Sequence, residues 1–133
     1  GLWKLLYLNE HEVASIPSAS EQVALGQYLV EGPGHCGECH TPRNAIGGMD
    51  AGRWLGGAPA AEGSGTVPNI SPSGDFAAWS EADIVNLLET GFTPEFDSVG
   101  ASMALVVKNT AMLEASDREA IAAYLKAIPP VGP

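Results

Sequence analysis

Five consecutive residues, Cys36-Gly37-Glu38-Cys39-His40, constrain this chain more than any other stretch. The pattern is C-x-x-C-H, and it points to covalent attachment of a c-type haem. Two thiols add to the haem vinyl groups as thioethers. Two intervening residues make a turn that lets both sulfurs reach one edge of the porphyrin. The adjacent imidazole is then placed under the iron as the fifth ligand. Cys36 and Cys39 are the only cysteines in 133 residues. A thioredoxin-like C-x-x-C needs a βαβ context that is absent and has no use for the next histidine. A structural zinc site needs four ligands. His11 and His35 could complete one, but there is no second ligand pair. A Cys36–Cys39 disulfide would close too small a loop to stabilise much.

The length predicts one domain, with a small core to which a covalent haem would add a large apolar body. Sixteen Gly and ten Pro predict a loop-rich middle between Gly32 and Pro72. The formal net charge is −10, which disfavours a nucleic-acid partner because no basic patch exists to neutralise phosphates. No Lys or Arg lies between Arg53 and Lys108, whereas Glu62, Asp75, Glu81, Asp83, Glu89, Glu95 and Asp97 do. If this stretch covers one side of a haem, a partner docking there is basic or largely apolar; the plainer reading of the charge is solubility. No signal peptide is visible and the first residue is Gly, as expected of a processed product or fragment. Haem attachment to this motif occurs outside the bacterial cytoplasm, so a leader upstream is expected. Leu2 to Leu8 is apolar but too short to span a bilayer.

The periodicity predicts helices and loops with no sustained strand pattern. Residues 9–19 read as a linker. A helix is expected from the N-cap Ser20 to about Val30, ended by Glu31-Gly32-Pro33-Gly34. Gly26 inside it lowers helix propensity, which close approach of another helix would offset. Loops follow to Pro72, with at most a helical turn around residues 48–53. Arg53 and Trp54 sit where a donor to a haem propionate would be useful, although Trp54 also reads as a core aromatic. Pro68-Asn69-Ile70 reads as a rigid turn that presses on a haem edge. Ser80-Glu81-Ala82-Asp83 resembles a capping box opening a helix with an Ile84, Leu87, Leu88 stripe. Residues 104–113 read as a short helix. Ser116-Asp117-Arg118-Glu119 reads as a second capping box, opening a last helix with Ile121, Tyr124, Leu125 and Ile128 on one face.

On these blocks the chain resembles a class I cytochrome c domain. The resemblance rests on the helix carrying Gly26, the Cys36–Thr41 motif, a downstream methionine and the helix from Asp117 to Lys126. It implies an all-α fold of three to five helices with long loops around one haem, formed by residues 20–133 after a tail of 1–19. In that family the first and last helices cross at a small residue and an aromatic, which Gly26 and Tyr124 match. The phrases Gln27–Cys36, Cys39–Asn44, Pro68–Ile70 and Ala122–Pro130 narrow the likeness to cytochrome c domains of bacterial membrane-associated alcohol and aldehyde dehydrogenases. Those subunits usually carry several haem motifs and a membrane anchor; one motif is present here.

His40 is the expected fifth ligand. For the sixth, Met49 follows the motif too closely and His35 adjoins it; His11 is a third alternative. Met103, beside the small residues Gly100-Ala101-Ser102, stands where the resemblance places the ligand, and Met112 is the other choice. A His/Met-ligated haem has no open position and passes single electrons. The expected function is electron transfer between a periplasmic dehydrogenase and the respiratory chain, by an electron carrier rather than an enzyme, with cofactor-binding residues Cys36, Cys39, His40, Met103, Trp54, Arg53, Asn69 and Ile70. The expected partners are a dehydrogenase donor and an oxidase or cytochrome acceptor, with an upstream membrane tether compatible with both. The rival is an open or displaceable distal site that binds a gas or acts on peroxide or a sulfur compound.

Overall fold

A computed structural model describes residues 1–8, 11–61 and 63–133, without the side chain of Ala101. Asn9 and Glu10 of the expected linker, and Glu62 of the acidic stretch, lie outside the described residues. Among the described residues six helices follow in order: α1 (Leu2–Tyr7), α2 (Glu21–Glu31), α3 (Cys36–His40), α4 (Glu81–Thr90), α5 (Ala101–Thr110) and α6 (Ala115–Ala127). This is a helix-rich, long-looped architecture compatible with a cytochrome c fold. The helices beyond the expected three to five are short, six residues in α1 and five in α3. Single 3-10 turns occur at Ala51–Arg53 and Gly74–Ala78. Strands β1 (Ala58–Pro59) and β2 (Thr66–Val67) pair antiparallel, Ala58 opposite Val67. Two-residue strands are too short to leave an alternating pattern, so the sequence predicts only loop there.

The core forms where α2 crosses α6. Ser20 starts α2 by accepting a hydrogen bond from the Val23 amide at 3.2 Å. Gly26 faces α6 so closely that a Cβ would collide with the Ala120 carbonyl and lie 2.7 Å from the Tyr124 Cβ. The glycine therefore lets two backbones approach, offsetting the propensity it loses. Val30 on α2 and Ile121, Tyr124, Leu125 and Ile128 on or just after α6 are buried there. The α4 stripe buries Ile84 and Leu88 against this cluster. Its start is the expected capping box: Ser80 Oγ accepts from the Asp83 amide and the Asp83 carboxylate accepts from the Ser80 amide.

The later helices depart from expectation. No side-chain cap forms at Ser116; α6 begins at Ala115 after Glu114. The Glu114 carbonyl accepts from the Asp117 and Arg118 amides, so Ser116 already lies inside the first turn. Arg118 serves the preceding helix instead. Its Nη1 donates to the carbonyls of Leu113 (2.6 Å), Thr110 (3.3 Å) and Ala111 (3.4 Å), and its Nη2 pairs with Glu89 at 3.5 Å. These bonds close the C-terminal end of α5, which lies three residues earlier than the expected 104–113. Met103 is thus on the first helical turn rather than in a loop. Among the described residues no helix is long and apolar enough to cross a membrane.

Candidate haem-attachment site

The motif forms the single-turn helix α3, entered through His35 in the left-handed region (φ 52°). Cys36 and Cys39, three residues apart on a helical turn, share a face. Both are free thiols. Gly37 is buried against the Trp54 ring, which leaves no room for a side chain. Thr41 closes the turn: its buried Oγ1 accepts the Leu55 amide at 3.0 Å. Glu38 faces outward and pairs with Arg43 at 2.5 Å.

The His40 ring is oriented by Pro68, whose carbonyl lies 2.8 Å from Nδ1. A carbonyl can only accept, so Nδ1 carries the proton and the Nε2 lone pair is left to bind a metal. Burial holds the imidazole below its ordinary pKa, against the opposing pull of the Pro68 carbonyl. Its neutral form, the one that binds metals, is thereby favoured. The Pro68 turn is itself fixed. Asn69 Nδ2 donates to the Val131 carbonyl at 2.9 Å, and its Oδ1 accepts from the Ser71 amide and hydroxyl. Ser71 Oγ accepts the Val131 amide at 3.0 Å, and the Ile70 amide bonds to the Leu55 carbonyl at 2.9 Å. The C-terminal segment thus braces the turn that orients His40. A backbone carbonyl has no residue-type signature, so sequence reasoning missed this partner; the Asn-x-Ser spacing at 69–71 was the available signal.

A second network lies behind the motif. Trp54 is buried and its indole N–H donates to Tyr124 Oη at 2.9 Å. Tyr124 Oη donates to Glu31 at 2.7 Å. Burial, then Glu31, raise the Tyr124 pKa far above the ordinary phenol value, so it stays a neutral donor. Glu31 entered the sequence reading only as part of a helix stop; Gln27, one turn earlier and 3.0 Å away, was its local clue.

The remaining candidates are dispersed. Arg53 is exposed at the end of its 3-10 turn, and Ile70 is half-buried against the core cluster. Met103 is half-buried and packs on that cluster, whereas Met112 is 75% exposed. Met49 lies opposite Arg43 in an antiparallel bridge. His11 and His35 are exposed. Tyr7 brings α1 onto the loop after the motif: its ring covers Gly48, and its hydroxyl accepts from Asn44 at 3.0 Å. Exposed Glu81, Glu89, Glu95 and Asp97 lie on α4 and in the loop after it.

Two thiols on one face, followed by an imidazole with one nitrogen fixed and the other left as donor, fit a covalently attached haem. They fit competing chemistries poorly. Burial pushes the Cys36 thiol up to about 11, unlike a nucleophilic redox cysteine. Among the described residues no three His, Cys, Asp or Glu side chains converge as a metal cluster.

No family model matches the chain. Individual proteins do. A diheme cytochrome c-type protein of Cereibacter sphaeroides is 52% identical over 131 residues, which cover 98% of this chain and 43% of the relative. The cytochrome c subunit of a quinone alcohol dehydrogenase from Gluconobacter oxydans is 36% identical over 141 residues, 98% of this chain and 29% of the relative. The fructose dehydrogenase cytochrome subunit of Gluconobacter japonicus is 36% identical over 106 residues, 78% of this chain and 21% of the relative. This chain spans less than half the length of these curated relatives. Those from dehydrogenases are cytochrome subunits, not catalytic ones.

Proposed function

From the premise that this chain is a cytochrome c domain related to the cytochrome c subunits of dehydrogenase complexes, we propose that it carries one haem c and transfers single electrons. The domain is formed by residues 20–133, with 1–19 as a connecting tail. Cys36 and Cys39 hold the haem through thioethers, and His40 Nε2 is the fifth iron ligand. Met103 is the sixth ligand; its half-buried place on the first turn of α5 favours it over the exposed Met112. The bound haem supplies a one-electron Fe(III)/Fe(II) couple. A thioether is a soft ligand that favours the ferrous form.

The other residues hold geometry. Pro68 keeps the His40 ring in one tautomer and one plane. Asn69 locks the Pro68 turn to Val131, and Ile70 packs beside it. Trp54 backs the motif through Gly37, its N–H being committed to Tyr124. Arg53, exposed, is the donor for a haem propionate. The donor partner is a dehydrogenase and the acceptor an oxidase or another cytochrome of the respiratory chain, in the periplasm; an upstream membrane tether is compatible with this. The exposed acidic residues around α4 suit a basic docking face.

The observation that carries this reading is the His40 Nδ1–Pro68 contact beside two free thiols on one turn. Export of the protein in a host with haem-attachment machinery tests it. Intact-mass analysis should show one haem per chain, lost in Cys36→Ala/Cys39→Ala, and voltammetry should show one reversible one-electron wave. A protein exported without haem, or with haem that turns over peroxide and shows no reversible wave, contradicts it.

A further inference from the structure

Among the described residues, Glu31 accepts four hydrogen bonds. Its Oε1 takes Tyr124 Oη at 2.7 Å, Gln27 Nε2 at 3.0 Å and the Ala14 amide at 3.1 Å; its Oε2 takes the Val13 amide at 2.8 Å. It is the last residue of α2. A carboxylate there opposes the helix dipole, so helix stability alone does not account for it. The direction of the network is fixed. Indole is only a donor and an ionised carboxylate only an acceptor, so Tyr124 must accept from Trp54 and donate to Glu31. The far end is also fixed, because the Trp54 ring closes on Gly37 inside the haem motif. One continuous path therefore runs from the backbone at Val13–Ala14, through Glu31, Tyr124 and Trp54, to the turn Cys36–His40.

We propose that Glu31 is a positioning residue for the haem-binding turn, and that through it the segment at Val13–Ala14 is mechanically joined to that turn. This goes beyond the electron-carrier reading and rests on it only for what the turn holds. The consequence is specific. A displacement of the segment around Ala14 strips donors from Glu31 and loosens Trp54 behind the motif. The tail before α2 then reports its position to the haem site.

Two variants separate coupling from local damage. Glu31→Gln keeps the shape but turns one acceptor into a donor facing donors. Hydrogen exchange should rise at least tenfold at the Val13 and Ala14 amides, at the Trp54 indole and at the Thr41 amide that closes the turn. The α4 amides should not change. Tyr124→Phe should free the Trp54 indole and Thr41 while leaving Val13 and Ala14 protected. In the haem-carrying protein, Glu31→Gln and the charge-neutral Tyr124→Phe should both shift the midpoint potential, and Glu12→Gln on the exposed segment should leave it unmoved. Exchange that rises only at Val13 and Ala14, or a potential unaltered in Glu31→Gln, overturns the proposal. If Glu31→Gln loosens the whole fold, α4 included, Tyr124→Phe decides, and protection of its Trp54 indole at the wild-type level overturns it. A wild type without covalent haem sinks the electron-carrier reading, and the exchange comparison then still decides whether Glu31 positions the turn.

Discussion

Helices α5 and α6 are adjacent in the chain and are built differently. In α6, residues 120–125 are buried without a break. In α5, Val107 is buried, while Leu105 is 67% exposed. Helix α6 is held by interlocking shape, through Gly26 and Tyr124. Helix α5 is held at its C-terminal end: the Thr110 hydroxyl donates to the Leu88 carbonyl at 2.5 Å, and Arg118 gathers its last carbonyls. The His40 side of the site is thus braced by a packed crossing and several backbone bonds. The proposed ligand Met103 rides on a helix anchored by a few contacts. A cytochrome needs a geometry that hardly changes between oxidation states. The denser bracing is on the His40 side, and the proposed methionine ligand rests on the sparser one.

The largest test is Gly26→Ala. The new methyl group meets the Ala120 backbone carbonyl, which cannot move without parting α2 from α6. A loss of about 3 kcal/mol or more, the upper end of overpacking costs, is expected in urea unfolding. A loss under about 1 kcal/mol would mean that the crossing is looser than its geometry. Next is a paired truncation. Leu125→Ala in α6 should cost about 2–5 kcal/mol, and Leu105→Ala in α5 within about 0.5 kcal/mol; equal costs would erase the contrast. Arg118→Met comes third. It deprives the end of α5 of its cap and should cost about 1–3 kcal/mol, with exchange rising first in residues 107–111. Loss confined to α6 would show that Arg118 serves its own helix.

The smallest effect is electrostatic. The Ser80 hydroxyl, then its amide, hold the Asp83 carboxyl below its ordinary value. A depressed folded pKa contributes stability that is present above the unfolded pKa of 3.8. That stability is lost as pH falls through the folded value. Asp83→Asn should lower neutral stability slightly and leave stability at the acid extreme unchanged, which flattens the acid limb of the curve. An unaltered acid limb would remove the capping box from the account.

How legible each part was follows from how local its cause is. Ser20, Ser80 and the stripes of α4 and α6 were readable because caps and periodicity act within one helix. Gly26 was readable because a glycine inside a helix calls for a close neighbour, and Tyr124 as that neighbour came from the family resemblance. The Ser116 cap misled for the opposite reason. A capping box is a local pattern, and here the Glu114 carbonyl, before the box, starts the helix, while Arg118, within it, reaches back to the carbonyls of Thr110, Ala111 and Leu113. The C-x-x-C-H turn was visible at once, but what orients its histidine is the carbonyl of Pro68, 28 residues away and without a residue-type signal. Glu31 was hidden likewise, since its partners on Tyr124 and at Val13–Ala14 are brought to it only by the fold.

The central claim is ligation by His40 and Met103. The most direct measurement is the ferric absorption spectrum of the haem-carrying protein beside Met103→Ala and Met112→Ala, followed by carbon monoxide added to each reduced form. The account predicts a sulfur-to-iron charge-transfer band in the wild type and Met112→Ala, absent from Met103→Ala, with ready carbon monoxide binding by Met103→Ala alone. Prompt carbon monoxide binding by a wild type that lacks the band would contradict it and point to an open or displaceable distal site.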